Sequence, residues 1–241
     1  MAAADPKDDL FDIAIPQVPV TKLRQPFIQE PGVIKLKQAG TARANEAASV
    51  EAPRGSQGPY FDRHRHQTVL QQHVAFFDTD NDGVIWPLDT FYNFRRLDFN
   101  LFLSIFSMFV IHFAFSYPTL PGYFPDPFFR IYVNRIHRDK HGSDSGSYDA
   151  EGRFEPQKFE DIFTKYATGD KQGITFGQII QYIRGQRVLA DPFGWFAAVF
   201  EWTATYILLW PADGRMMKED IRRVYDGSIF YEIASRRSKT H

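Results

Sequence analysis

The stretch "HVAFFDTDNDGVIWPLD", His73 to Asp89, decides how this chain folds. Counting from Asp78, carboxylates stand at the first, third and fifth positions as Asp78, Asp80 and Asp82. Gly83 follows at the sixth, where the chain must turn sharply, and Val84 at the seventh offers its carbonyl. Ile85 is the apolar eighth residue and Asp89 closes the loop at the twelfth. A hard divalent cation needs a shell of oxygen ligands, and this spacing is the EF-hand order that wraps one. Calcium is therefore expected on Asp78, Asp80, Asp82, the Val84 carbonyl and Asp89. The plainer alternative is a surface loop rich in turns, since Asp, Asn and Gly also favour those. Asp89 stands where Glu is usual, which strains bidentate closure and makes magnesium more competitive, and Pro87 stiffens the exit.

EF-hands work in pairs, and a weaker second copy is visible. Phe159 to Tyr166 reads as an entering helix, "GITF" (Gly173 to Phe176) places Ile174 at the eighth position, and Gln178 to Arg184 continue as an exiting helix. The intervening "ATGDKQ" keeps only Asp170 as a carboxylate. The expectation is a structural partner whose Ile174 pairs with Ile85 without binding calcium tightly. The fold class is thus mainly α, an EF-hand pair with one working and one degenerate loop, and an inserted hydrophobic helix and proline-knot segment. The expected organisation is a mobile N-terminal arm over 1–58, a calcium-binding hand over 59–96, the hydrophobic segment over 97–133, and a C-terminal helical region with the degenerate hand over 134–241.

Composition narrows the function. With 241 residues the chain can bury a proper core, and its net charge of −1 argues against nucleic acid as a partner. No cysteine is present, which removes disulfides, zinc–thiolate sites, cysteine nucleophiles and haem–thiolate chemistry. The acidic opening "MAAADPKDDLFDIAIPQ" does not read as a secretory signal. Residues up to about 58, rich in Ala, Pro, Gln and Glu, read as an arm partly ordered at "LFDIAIPQVPV", with the fold beginning near Pro59.

Phe99 to Phe115 is apolar but interrupted by Asn100, Ser104, Ser107 and His112. It is shorter than the roughly 20 residues of a bilayer span. Pro118, Pro121, Pro125 and Pro127 follow and must bend the chain. A helix entering one leaflet, turning at the prolines and coming back fits this pattern; a buried core helix before a proline-rich loop is the alternative. A second apolar block, Phe193 to Trp210, carries Glu201 and large aromatics of the kind found at membrane interfaces. Together the two blocks favour attachment to one face of a lipid layer.

Seven histidines are candidates for a catalytic metal. His64 and His66 sit in a charged stretch, His241 is terminal, and His112 suits a hydrogen-bonded core position. His73 shares a helical face with Val69 and Phe76, so it points into apolar surroundings just ahead of the calcium loop. A lone histidine there is most often a satisfied core residue. His137 follows "FFRIYVNRI", at the edge of another apolar segment. Two such histidines in a chain without cysteine are also what imidazole-ligated haem needs.

The motifs "HVAFFDTDNDGVIWP", "PTLPGYFPDPFF" and "NRIHRDKHGSDSGSYDAEGRF", with "IFTKYA" and "YDGSIFY", resemble the caleosins, also called plant and fungal peroxygenases. The likeness runs from about Pro59 to Ala234. It implies one EF-hand, a hydrophobic segment with a proline knot, haem b bound through histidine, and association with lipid droplets. The family's essential histidines match His73 and His137, with His141 in reserve. Asp126 stands where the plant knot carries Ser. The implied function is a calcium-binding haem peroxygenase of lipid droplets that uses fatty-acid hydroperoxides to epoxidise or hydroxylate unsaturated fatty acids. Its surroundings would be a droplet monolayer or endoplasmic-reticulum membrane, with self-association left open. The long N-terminus suggests a fungal member. The competing reading is a non-enzymatic, calcium-responsive coat protein of droplets, which needs neither His73 nor His137. A soluble calcium sensor would leave the prolines unexplained.

Overall fold

The computed structural model describes residues 35–238. The first part of the expected arm, with "LFDIAIPQVPV", and His241 lie outside them. After α1 (Pro59–His64), α2 (Val69–Ala75) starts at Thr68, whose hydroxyl accepts the Gln71 N–H while the Gln71 side chain accepts the Thr68 N–H. Such a reciprocal cap contributes about 1 kcal/mol. The cation loop follows, then β1 (Val84–Ile85) and α3 (Pro87–Arg96), with Pro87 at a first position where a helix has no N–H bond to lose. Next come α4 (Leu101–Thr119), β2 (Ile131–Tyr132) and a 3-10 helix, Val133–Asp139. The second half repeats the order as α5 (Pro156–Tyr166), β3 (Gly173–Thr175), α6 (Phe176–Gln186), α7 (Pro192–Leu209), β4 (Arg215–Met217), α8 (Lys218–Tyr225) and α9 (Ser228–Ser238). The protein is mainly helical, as expected.

The strand pairing differs from the expected one. β1 pairs antiparallel with β2, Ile85 opposite Ile131, and β3 pairs with β4, Ile174 opposite Met216. Ile174 therefore does not pair with Ile85. The proline-rich turn returns the chain as a buried strand, not as a second lipid-facing segment, so the hydrophobic stretch completes the first strand pair and is not inserted into it. "ADGRMM" supplies β4: Gly214, at φ 73°, precedes Met216 by the same two residues that separate Gly83, at φ 81°, from Ile85. Only glycine enters this left-handed region without strain.

Residues 35–58 are not a free arm. Ala47 and Ala48 are buried, Arg43 and Phe154 exchange backbone hydrogen bonds of 2.7 and 2.8 Å, and the Arg222 guanidinium donates to the Ala47 carbonyl at 3.1 Å. The ordered fold thus begins ahead of Pro59. The largest core cluster, around Phe154, Phe159, Phe163, Ile174, Ile179, Met216 and Ile221, lies under the second strand pair. A smaller one, Ile85, Ile131, Val133 and Ile136, lies under the first.

α4 has its polarity reversed. Ser104, Ser107, His112, Ser116 and Thr119 are buried, whereas Phe102, Phe106, Phe109, Phe113 and Tyr117 are exposed. His112 bonds the Thr90 hydroxyl at 2.7 Å and the Phe129 carbonyl at 2.6 Å, and the Ser104 hydroxyl donates to the Asn100 carbonyl at 2.9 Å. The helix continues one residue past Pro118, where the Thr119 hydroxyl donates back to Phe115 O at 2.9 Å and accepts the Tyr132 N–H at 3.2 Å. Asp126 organises the turn by accepting the backbone N–H groups of Phe128 and Arg130 and the Arg130 Nε at 2.8 Å. That guanidinium lies 5.1 Å from the Trp86 ring, linking the turn to the exit of the cation loop.

Candidate functional site: a cation loop and a buried histidine cavity

The carboxylates of Asp78, Asp80 and Asp82 offer oxygens that all lie within 4.8 Å of one another. Loop geometry holds them there. Asp78 accepts the N–H groups of Asp82 and Gly83 at 3.2 and 3.0 Å, and Asn81 and Gly83 both adopt positive φ. No Lys or Arg pairs with these three among the described residues. Burial, then repulsion by Asp82 and Asp80, leaves the Asp78 carboxyl above its usual range. A set of uncompensated hard oxygens is chemically suited to a divalent cation. Asp89 does not join the cluster; its carboxylate accepts the Trp86 N–H at 2.9 Å and caps α3. Val84 donates its N–H to Asp82 Oδ1 at 2.8 Å from the same turn.

The second feature is a cavity of about 290 Å³ walled by α2, α4, α6, α7, α8 and the segment after the 3-10 helix. His73 reaches it from α2, and its Nδ1 lies 2.7 Å from the Val224 carbonyl of α8. A carbonyl can only accept, so Nδ1 carries the proton and the Nε2 lone pair is left free. Burial lowers the His73 pKa, keeping the ring neutral. This is the state and orientation of a metal-ligating imidazole, with the backbone setting the tautomer. Gly227, at φ 77°, allows the approach: a Cβ there would stand 2.7 Å from Gln72 O and 3.0 Å from His73 Cα. The motif "YDGSIFY" thus has a physical reason.

His137 is half-buried and does not line this cavity. His141 does. Its side chain is only 5 % exposed, and neither ring nitrogen has a hydrogen bond among the described residues. Nε2 lies 3.6 Å from Glu201 Oε2, an ion pair too long for a hydrogen bond. Burial alone would lower the His141 pKa, but neighbouring carboxylates, Glu201 first, leave it raised. Beside it, both oxygens of Asp139 are buried without partners, and burial pushes that carboxyl up to about 8. Buried polar groups are ordinarily hydrogen-bonded, so two neighbouring side chains without such bonds mark this wall of the cavity as a candidate place for a polar ligand or a metal. Sequence reasoning did not single out Asp139, and it noted Glu201 only as a charge within an apolar block. The only signal was their place beside apolar runs.

A helical frame, an oxygen-rich loop suited to a cation, and imidazoles beside an apolar cavity define a mainly helical protein with two candidate ligand sites. The family model described as "Caleosin related protein" matches residues 65–234. The chain belongs to the caleosin family. It is 38% identical over 239 residues to "Peroxygenase" of Lilium longiflorum, covering 98% of this chain and 97% of that protein. It is 39% identical over 169 residues to "Probable peroxygenase 4" of Arabidopsis thaliana, covering 70% of this chain and 87% of that protein. A "Probable inactive peroxygenase-like protein" of Arabidopsis thaliana is 32% identical over 152 residues, covering 61% of this chain and 70% of its own length. No solved structure gives a significant match. These relatives are plant proteins, and the lily match spans nearly the whole chain, so the long N-terminus gives no ground for a fungal origin.

Proposed function

We infer that this protein is a peroxygenase whose reaction takes place in the His73 cavity. The observation that carries the reading is the convergence on one apolar cavity of His73, with Nε2 free, and His141, with neither ring nitrogen hydrogen-bonded and Glu201 3.6 Å from Nε2. A haem, when bound, would supply oxygen transfer from a fatty-acid hydroperoxide to an unsaturated acyl chain. The residues present fit such a group. His73 and His141 are the proposed ligands, and His137 is kept as the comparison residue. Val224 aims the His73 ring through its carbonyl. Leu70, Val74, Ile111, Phe115 and Leu208 line the rest of the cavity with apolar surface that would hold an acyl chain and exclude water. The neutral Asp139 carboxyl can hold a proton at the cavity wall.

The loop at Asp78 is read as a working EF-hand for calcium, and the three other helix–loop–strand–helix units as hands that have lost their ligands. Calcium there would steady the C-terminal end of α2 and so the aim of His73. The reversed α4, together with Phe193, Phe196 and Val199 exposed on α7, is read as the face that rests on a lipid droplet or a related membrane. α4 is long and apolar enough to cross a membrane by length and composition, at about 28 Å. Its buried serines and His112 belong instead to the protein interior.

The test is the visible spectrum of the purified protein with haem, together with hydroperoxide-dependent epoxidation of oleic acid. His73→Ala and His141→Ala are expected to lose the Soret band and activity, and His137→Ala to keep most of both. A normal spectrum and full turnover in both alanine variants would remove these histidines from the site, and a wild type with neither Soret band nor turnover would favour the droplet-coat reading.

A further inference from the structure

We propose that a second hollow, between α4, Arg138–Gly142 and the start of α7, receives the carboxylate end of a fatty acyl substrate, with the Arg138 guanidinium as its counter-ion. The proposal rests on the acyl-substrate reading above. The hollow measures about 330 Å³, and Ala114, Phe115, Pro118 and Phe193 supply its apolar walls. It shares Phe115, Asp139, Lys140 and His141 with the inner cavity, so a chain held in one hollow can continue into the other past His141. Phe193 is also on the exposed apolar face, which puts the opening at the edge of the proposed lipid contact.

Arg138 is exposed and makes no hydrogen bond or ion pair among the described residues. Neighbouring cations are already engaged. Lys140 pairs with Asp144 at 3.3 Å, Arg135 donates to the Leu120 carbonyl at 3.1 Å, and Arg130 holds Asp126. Arg187 lies over the Trp195 ring. The Asp191 carboxylate, which lines the hollow just ahead of α7, is directed at other donors: it accepts the Gly194 N–H at 2.9 Å and the Ser143 hydroxyl at 2.8 Å. An apolar slot with a free guanidinium at its rim matches an amphiphile with an anionic head. Guanidinium and carboxylate pair through two parallel hydrogen bonds, whereas an ester offers no charge. The structure therefore favours free fatty acids over their esters.

The experiment uses the full chain with haem and compares oleic acid with methyl oleate in wild type, Arg138→Gln and Arg138→Lys. For Arg138→Gln, KM for oleic acid should rise about tenfold, close to 1.4 kcal/mol, with kcat little changed. KM for methyl oleate should not move, and Arg138→Lys should recover part of the loss. Displacement of a fluorescent fatty acid by oleate, read without hydroperoxide, should weaken in parallel. Equal effects on acid and ester, or none on either, would overturn the proposal. So would weakened binding to anionic phospholipid vesicles with unchanged oleate displacement, which would make Arg138 a headgroup contact. Arg138-dependent displacement in a wild type that does not oxygenate would support this site and sink the peroxygenase reading.

Discussion

The two strand pairs share a frame and have divergent loops. In the first, Asp78, Asp80 and Asp82 crowd their negative charge together with no basic partner among the described residues. In the second, Asp170 is met by the Arg215 guanidinium from β4. The position after Gly214 is thus occupied by a cation that the chain carries itself, while the position after Gly83 is the neutral Val84. The same fold can take its positive charge from solution or from a side chain. Only the first choice leaves it responsive to metal. The halves then meet at the cavity, where α2 contributes His73 and α8 the carbonyl that aims it.

The largest effect should come from breaking the charge contrast. Asp78→Ala is expected to take calorimetric calcium stoichiometry from one to zero, whereas Asp170→Ala should leave it at one. Loss of an ion in the Asp170 variant would mean that the second pair also holds metal. Next in size, Ile174→Ala removes a side chain with 0% exposure and should cost about 2–5 kcal/mol in denaturant unfolding. Gly227→Ala probes the seam between the halves. Positive φ and the contact with Gln72 O should cost about 1–3 kcal/mol and shift any haem spectrum through His73; an unchanged spectrum would detach Gly227 from the site.

A double-mutant cycle sharpens the pairing itself. Ile85→Ala with Ile131→Ala should show a coupling of about 0.5–3 kcal/mol, and Ile85→Ala with Ile174→Ala should be additive within about 0.5 kcal/mol. A last test concerns pH. Folded Asp139 holds its proton up to about 8, whereas the unfolded chain releases it near 3.8. The folded state therefore binds more protons between these values, and stability present at pH 4 falls as pH rises through about 8. Asp139→Asn should remove that slope, so its Tm advantage over wild type should widen by roughly ten degrees between pH 5 and pH 9. A constant difference would show that Asp139 is not buried as an acid.

The cation loop was legible because its ligands lie within one turn of chain, where spacing alone sets direction. The helices around it were legible for a similar reason: caps such as Thr68 and prolines such as Pro87 act over a few residues. The apolar length of α4, the bend after it and a hydrogen-bonded core place for His112 could also be read, but not that the phenylalanines of α4 face outward. Phenylalanine in an apolar run suits a protein core as well as a lipid surface, so it does not say which side faces outward. The strand partners were misread because strands of two or three residues carry no periodicity, and Ile174 looks as suited to Ile85 as Met216 does to either.

The amino-acid sequence by itself determined a mainly helical chain, a calcium-type loop at Asp78, and His73 on an apolar helix face. It also carried the motifs of its family. Tertiary structure alone decided that Ile131 stands beside Ile85, that His141 and not His137 enters the cavity, and that Asp139 is buried as an acid. His137 and His141 are four residues apart, and their chemistry depends on what α4 and α7 place around them. The bond that prepares His73 joins residues 151 positions apart, a separation across which no local pattern carries direction.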